Sequence, residues 1–129
     1  MSLRTRYSRE DDIVSLSTLD CGSEEGSYEV ESDCWTILDV AFDNKRKPVT
    51  LELMFVSRLM PLTANNGYCS DTDTLVIGKG QITATLVEAN DDLSAYWCPD
   101  EDYPDDLSLV AVSLQNASKH LTPVLAKLT

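Results

Sequence analysis

Hydrophobic and polar residues alternate with a period of two through the middle of the chain. The run 34–43 reads CWTILDVAFD and the run 49–57 reads VTLELMFVS, so each carries apolar side chains at alternate positions. This period is typical of half-buried strands. The intervening segment 44–48, Asn-Lys-Arg-Lys-Pro, has the polar composition of a turn. The pattern therefore predicts two strands that pair as a hairpin.

Further strands are predicted on either side of this hairpin. Residues 12–19 alternate in the same way, and apolar stretches occupy 74–77 and 81–89. We expect the last two to form a second hairpin through the Gly-Lys-Gly between them, because glycine tolerates the positive φ of tight turns. The turn 90–92 then leads into a short apolar piece, 93–97. No internal repeat is evident along the chain.

The carboxy-terminal part of the sequence is compatible with two structures. The apolar residues of 107–114 fit one face of a helix, which we predict, whereas Val110 and Val112 at the centre of the run also fit a buried strand. Thr122 and Pro123 have the residue types of a helix cap and first helical position, so a short last helix is expected at 124–128.

These elements predict an α+β fold. We expect a mostly antiparallel sheet of about five to six strands with a carboxy-terminal helix packed on one face. An all-β sandwich is the alternative. The length of 129 residues is that of one domain, which we expect to span residues 1–129.

Charge is unevenly distributed in this chain, which carries a net charge of −12. Residues 10–33 hold nine acids and no base, and residues 90–106 hold seven acids and no base. A field of this sign repels nucleic acid and anionic membranes and attracts basic proteins. We therefore expect a basic protein partner and no direct binding of nucleic acid or membrane.

The expected compartment follows from what the sequence lacks. No stretch approaches the roughly twenty apolar residues of a membrane-spanning helix. The amino terminus has no apolar run of the kind that signal peptides contain. We expect a cytoplasmic location and therefore reduced thiols at Cys21, Cys34, Cys69 and Cys98, whereas in a secreted protein the four could form two disulfides with three possible pairings.

Few side chains have the types and spacing that catalysis or metal binding requires. His120 is the only histidine and has no nucleophile close to it in sequence, so we predict a surface histidine. The closest cysteines, Cys21 and Cys34, are too far apart for the paired ligands of a zinc site. The acidic runs 71–73 and 100–106 lack the EF-hand spacing and are expected to be solvated loops. We expect a protein that is not an enzyme and needs no cofactor or metal.

One segment, 91–106, combines acids with aromatic side chains and two prolines. Aromatic anchors surrounded by charge of one sign are common in protein contacts, since the anchor supplies affinity and the charge steers association. The predicted partner-binding residues are Asp91, Asp92, Tyr96, Trp97, Asp100, Glu101, Asp102, Tyr103, Asp105 and Asp106. The alternative is that Tyr96 and Trp97 fill the core while the acids face water.

Together these features favour a non-enzymatic protein that docks on a basic partner. Small acidic inhibitors, such as immunity proteins and proteins that imitate a DNA surface, use the same charge logic, and the analogy is one of charge only. A small-ligand or cation-binding β domain and a structural or assembly subunit are the alternatives. The docking hypothesis requires the acids of 10–33 and 90–106 to gather into one patch in the folded protein.

Overall fold

The computed structural model describes residues 3–18, 25–31, 37–59, 62, 67–78 and 84–128. Within these ranges the chain forms ten strands, a 3-10 turn and one helix. In chain order they are β1 (Leu3–Ser8), β2 (Ile13–Thr18), β3 (Gly26–Glu31), β4 (Ile37–Phe42), β5 (Pro48–Met54), the 3-10 turn Val56–Leu59, β6 (Tyr68–Cys69), β7 (Thr74–Gly78), β8 (Leu86–Asn90), β9 (Leu93–Pro99), β10 (Leu107–Gln115) and α1 (Ala117–Leu128). The predicted α+β class is confirmed, and the arrangement is also compatible with the sandwich alternative.

The strands form two antiparallel sheets, one from each half of the chain. The first sheet has the order β1-β2-β5-β4-β3 and the second has the order β6-β7-β10-β9-β8. When the strands of each half are numbered from one, both orders read 1-2-5-4-3. The two halves therefore share one topology, a structural repeat that the sequence does not display.

Both sheets contribute to one hydrophobic core. Leu16, Leu38 and Leu51 from the first sheet and Leu75 and Leu93 from the second are fully buried in it. Burying a leucine side chain stabilises a fold by about 1.5–3 kcal/mol. In the repeated order β3 corresponds to β8, and β5 corresponds to β10. The contact between β3 and β10 is matched by the contact between β8 and β5. Part of the contact between the sheets thus follows the same repeat.

Asp12, which has a left-handed backbone, connects the β1–β2 turn to the segment that follows β5, the last strand of the first half. Asp12, with φ of 56°, immediately precedes β2. Its carbonyl oxygen accepts the N–H of Val56 at 3.2 Å, and its carboxylate accepts the N–H and the hydroxyl of Ser57 at 2.9 and 2.6 Å. We call this set of bonds the Asp12 clamp. It holds the β1–β2 turn against the chain that leaves β5.

The second half contains the same clamp, here called the Asp73 clamp. Asp73, with φ of 51°, precedes β7. Its carbonyl accepts the N–H of Ala117 at 2.9 Å, and its carboxylate accepts the N–H and the hydroxyl of Ser118 at 3.0 and 2.6 Å. Since α1 begins at Ala117, Asp73 pairs two amide groups that a helix leaves unpaired at its amino end, where a negative charge is also favourable.

The prediction of a helix at 107–114 is wrong, because this run is the strand β10. It lies between β7 and β9, and Ala111, Val112, Ser113 and Leu114 are all buried. A strand that is buried on both faces lacks the alternation that distinguishes strand from helix. The helix begins at Ala117 instead, and Pro123 lies inside it, not at its first position.

The other predicted strands have mixed outcomes. The strand predicted at 12–19 and the hairpin built from 34–43 and 49–57 are confirmed as β2, β4 and β5. The hairpin predicted between 74–77 and 81–89 is wrong, because β10 and β9 separate β7 from β8. Most of its predicted turn falls in 79–83, outside the described residues. Strands β1, β3 and β6 were not predicted.

The single helix of the described segments is too short and too polar to cross a membrane.

Candidate functional site

The ten predicted partner-binding residues are distributed along β9 and the connections at its two ends. Asp91 and Asp92 form the turn between β8 and β9. Tyr96 and Trp97 belong to β9 itself, and residues 100–106, here called the acidic loop, connect β9 to β10. Since β9 spans seven residues, about 20 Å of strand separates Asp91 and Asp92 from the acidic loop. The segment is therefore not one continuous surface.

Trp97 is a core residue, which corrects its assignment as a partner-binding anchor. Only 1% of its surface is exposed. Its indole N–H donates to the carbonyl oxygen of Arg46 at 3.0 Å, and its ring lies edge-on to Phe42 and Tyr28 at 5.0 and 5.8 Å. The alternative interpretation of this side chain, as core filling, is the one that the structure supports.

Tyr96 and Tyr103 differ sharply in exposure. Tyr96 is half-buried, and its hydroxyl lies 3.0 Å from that of Ser113, so it packs across the outer face of the second sheet. Tyr103, in the acidic loop, is 69% exposed. Of the three aromatic residues predicted to contact a partner, Tyr103 is the one whose ring is largely available.

The acidic loop has a defined backbone conformation built around Asp100. One carboxylate oxygen of Asp100 accepts the N–H groups of Asp102 and Tyr103 at 2.9 and 3.1 Å. The other accepts the hydroxyl of Ser108 at 2.6 Å. The hydrogen bond from Ser108, followed by those from the two amides, holds the pKa of Asp100 below its usual value. The Asp100 N–H also donates to the carbonyl oxygen of Asp106 at 2.9 Å, which closes the loop.

Residues 43–47, here called the basic turn, are the counterpart of the acidic loop in the first half. They connect β4 to β5 as the acidic loop connects β9 to β10. The Asp43 N–H donates to the carbonyl oxygen of Lys47 at 3.0 Å, and the Asp43 carboxylate accepts the N–H groups of Lys45 and Lys47. The two connections are thus closed in the same way. Their charges are opposite, because the basic turn holds three bases and one acid while the acidic loop holds five acids and no base.

At the other end of β9, Asp92 binds the only histidine. The Nε2 atom of His120 lies 2.7 Å from a carboxylate oxygen of Asp92, and the side-chain amide of Asn116 donates to Asp92 at 3.3 Å. His120 is only 6% exposed, so its prediction as a surface residue is wrong. Asp92 therefore anchors the β8–β9 turn to α1 and is not available to a partner in the way that was predicted.

The serine and histidine of α1 do not form a catalytic pair. Ser118 donates its hydroxyl to Asp73, whereas His120 contacts Asp92, so each is bound to its own carboxylate. Nucleophilic catalysis requires direct contact between the nucleophile and its base. The Asp12 clamp repeats the bond between serine and aspartate without a histidine. The Asp73 clamp is therefore a structural element of the fold.

Hydrogen bonds perturb the titration of the groups near Asp73. The hydroxyl of Tyr68 donates to Asp73 at 2.6 Å, which raises the pKa of Tyr68, while the bonds from Ser118 and Tyr68 lower the pKa of Asp73. Hydrogen bonds from Thr72 lower the pKa of the exposed Cys69 thiol. Across the described ranges, no three His, Cys, Asp or Glu side chains are placed to hold one metal ion.

Among the described residues, the acids of the first block do not all lie on the side of the acidic loop. Glu10 and Asp11 lie in the β1–β2 turn, beside the end of β5. The acidic loop follows Trp97, which contacts the basic turn at the start of β5. The described acids of the first block therefore lie partly at the far end of the first sheet. The side chains of residues 19–24 and 31–36 lie outside the described part of the chain.

Comparison of the chain with protein-family models, with curated proteins and with solved structures found no match.

Proposed function

We propose that this protein is a non-enzymatic binding protein whose acidic loop docks on a basic surface of a protein partner. The contact surface consists of Glu101, Asp102, Tyr103, Asp105 and Asp106, a smaller set than the sequence predicted. The proposal includes a cytoplasmic location. It also includes no direct binding of nucleic acid or of anionic membrane, because a net charge of −12 repels these two polyanions.

The contrast between the acidic loop and the basic turn carries this proposal. Both connections have the same position in the repeated topology and the same closing hydrogen bond. The fold accepts a basic sequence in the first half, so the position does not require acids. Asp100 has a structural role that Asp43 shares. The other four carboxylates of the loop face water and bind no described residue, and the fold supplies no reason for them.

The physical properties of the loop suit docking on a cationic surface. Five negative charges within seven residues repel one another, and a basic partner relieves that repulsion while it speeds association. Tyr103 provides an exposed ring of the type that forms hot spots at interfaces. Pro104 and the hydrogen bonds to Asp100 restrict the backbone, so little entropy is lost when the loop binds.

The test compares the full chain with a variant in which Asp102, Asp105 and Asp106 are changed to asparagine. Both chains are immobilised and exposed to an extract of the cells that produce the protein. We expect the unmodified chain to retain one or a few basic proteins at low salt and the variant to lose them. Calorimetry with each retained protein should give an affinity that falls on the order of tenfold or more in the variant and at high salt.

A matched control separates the loop from overall charge. The variant Glu10→Gln, Glu29→Gln, Asp39→Asn removes the same number of charges elsewhere on the surface, and we expect it to bind as the unmodified chain does. The proposal is contradicted by a partner that binds all three chains equally at every salt concentration. Retention of no protein by the unmodified chain also contradicts it.

A further inference from the structure

The outer face of the first sheet, turned away from the core, carries a groove of about 530 Å³. Ser15 and Ser17 of β2 form its floor, Arg4 and Arg6 of β1 form one wall, and Glu52 of β5 forms the other. The strand register places Arg4 opposite Ser17, Arg6 opposite Ser15, and Ser15 opposite Glu52. The groove exists because two small residues separate the long side chains of the neighbouring strands.

The two walls of this groove carry opposite charges that are not neutralised. Arg4, Arg6 and Glu52 are exposed, and none of the three forms an ion pair with any residue of the described ranges. Asp11 also borders the groove, at the β1–β2 turn, and its carboxylate accepts the hydroxyl of Ser8 at 3.1 Å, which leaves its negative charge in place. The strands that bear the walls are two spacings apart, which is about 10 Å. A positive and a negative wall therefore face each other across a polar floor.

We propose that this groove binds a small zwitterionic ligand of the amino acid or short peptide class. A guanidinium group binds a carboxylate through two parallel N–H donors, which Arg4 and Arg6 supply. The carboxylate of Glu52 accepts hydrogen bonds from the ammonium group of the ligand. The hydroxyls of Ser15 and Ser17 can donate or accept, so they suit the polar atoms between the two charged ends.

Electrostatics and size favour a dipolar ligand over a simple anion. The net charge of −12 repels a free anion, whereas a zwitterion has no net charge for that field to oppose. The volume of the groove falls within the roughly 300–1,000 Å³ that is usual for small-molecule sites. A ligand with both charges is also the one that engages both walls.

The repeat shows that the fold does not require this groove. In the second sheet the register pair that corresponds to Ser15 and Glu52 is Val76 and Ser113. Ser113 is buried and bonds to Tyr96, and neither it nor Val76 carries a charge, so the position that corresponds to Glu52 has no charged wall. The charged groove is thus a feature that distinguishes the first half, as the acidic loop distinguishes the second.

The proposal is tested by titrating the ¹⁵N-labelled full chain with triglycine and following its backbone amide shifts. We expect saturable shifts confined to β1, β2 and β5. N-acetyl-triglycine, which lacks the ammonium group, and triglycine amide, which lacks the carboxylate, should each bind on the order of tenfold more weakly. Titration with glycine distinguishes a free amino acid from a short peptide as the ligand. A site for free amino acids should bind glycine as tightly as it binds triglycine.

Variants on each wall complete the test. Arg6→Gln and Glu52→Gln should each weaken triglycine binding on the order of tenfold. Arg9→Gln and Glu10→Gln change the same residue types in the nearby turn, outside the groove, and should leave the affinity unchanged. The proposal is overturned if triglycine causes no shifts, if inorganic phosphate or either blocked peptide binds as well as triglycine does, or if neither wall variant weakens binding.

Discussion

Asp12 and Asp73 lie 61 positions apart and make the same three hydrogen bonds. In each half the partners are the first two residues of the helical segment that follows the last strand. Both have a left-handed backbone, with φ of 56° and 51°. The chain is therefore built from two copies of one five-stranded unit that share a core. One copy has features that the other lacks, such as the acidic loop and the charged groove, and we propose that these features carry the function.

The clamps should contribute measurably to stability. Ser57→Ala and Ser118→Ala each remove a hydroxyl that donates to a carboxylate at 2.6 Å, and each should lower the free energy of unfolding by about 1–2 kcal/mol. Urea denaturation with an unchanged m-value measures this. Ser27→Ala, at an exposed position of β3, should stay within about 0.5 kcal/mol of the unmodified chain. Equal stability of all four chains would falsify a stabilising role for the clamps.

The contribution of the Asp73 clamp should vanish in acid. Hydrogen bonds from Ser118 and Tyr68 hold the pKa of Asp73 below its usual 3.8 in the folded chain. A lowered folded pKa contributes stability that is fully present above the unfolded value of about 3.9 and is lost as the pH falls through the folded pKa. The stability difference between the unmodified chain and Ser118→Ala should thus be constant near pH 7 and shrink below about pH 4. Urea denaturation across this range checks it, and a pH-independent difference contradicts it.

Asp100 and the other acids of the loop should affect stability in opposite directions. Asp100→Ala removes the acceptor for two amides and for Ser108, so its melting temperature should fall. The variant with Asp102, Asp105 and Asp106 changed to asparagine should melt at the same temperature or higher, because like charges no longer repel. Calorimetry distinguishes them. If the triple variant were destabilised as much as Asp100→Ala, the three substituted acids would have a structural role.

A substitution of Trp97 should affect mainly the stability of the fold, whereas a substitution of Tyr103 should affect mainly partner binding. Trp97→Phe removes the bond to Arg46 and leaves a cavity in the core, so the free energy of unfolding should fall by about 2–4 kcal/mol. Tyr103→Ala, at a largely exposed site, should change it by less than about 0.5 kcal/mol and should weaken partner binding instead. Denaturation and calorimetry of both variants measure this. The reverse pattern would restore Trp97 as the contact residue.

Local patterns determined much of the fold and part of the candidate site. The alternation in 34–43 and 49–57 predicted a hairpin that the structure contains, because one buried face fixes the register of a strand pair. The acidic loop was also recognisable in the sequence, since its five acids fall within seven consecutive residues. The charged groove was missed. Its signal was present in the polar positions of 4–6 and 15–17, but only strand pairing places these next to each other.

Tertiary contacts decided the rest. Residues 107–114 became a central strand because β7 and β9 cover its edges and side chains bury both its faces, which no property of the run itself specifies. His120 is buried and contacts Asp92, which is 28 positions earlier in the sequence and lies beside it only in the folded chain. The repeat was likewise hidden in the sequence, since topology and two clamps preserve it while most side chains differ. Periodicity and charge depend on neighbours in the chain, whereas burial and pairing depend on residues that only folding brings together.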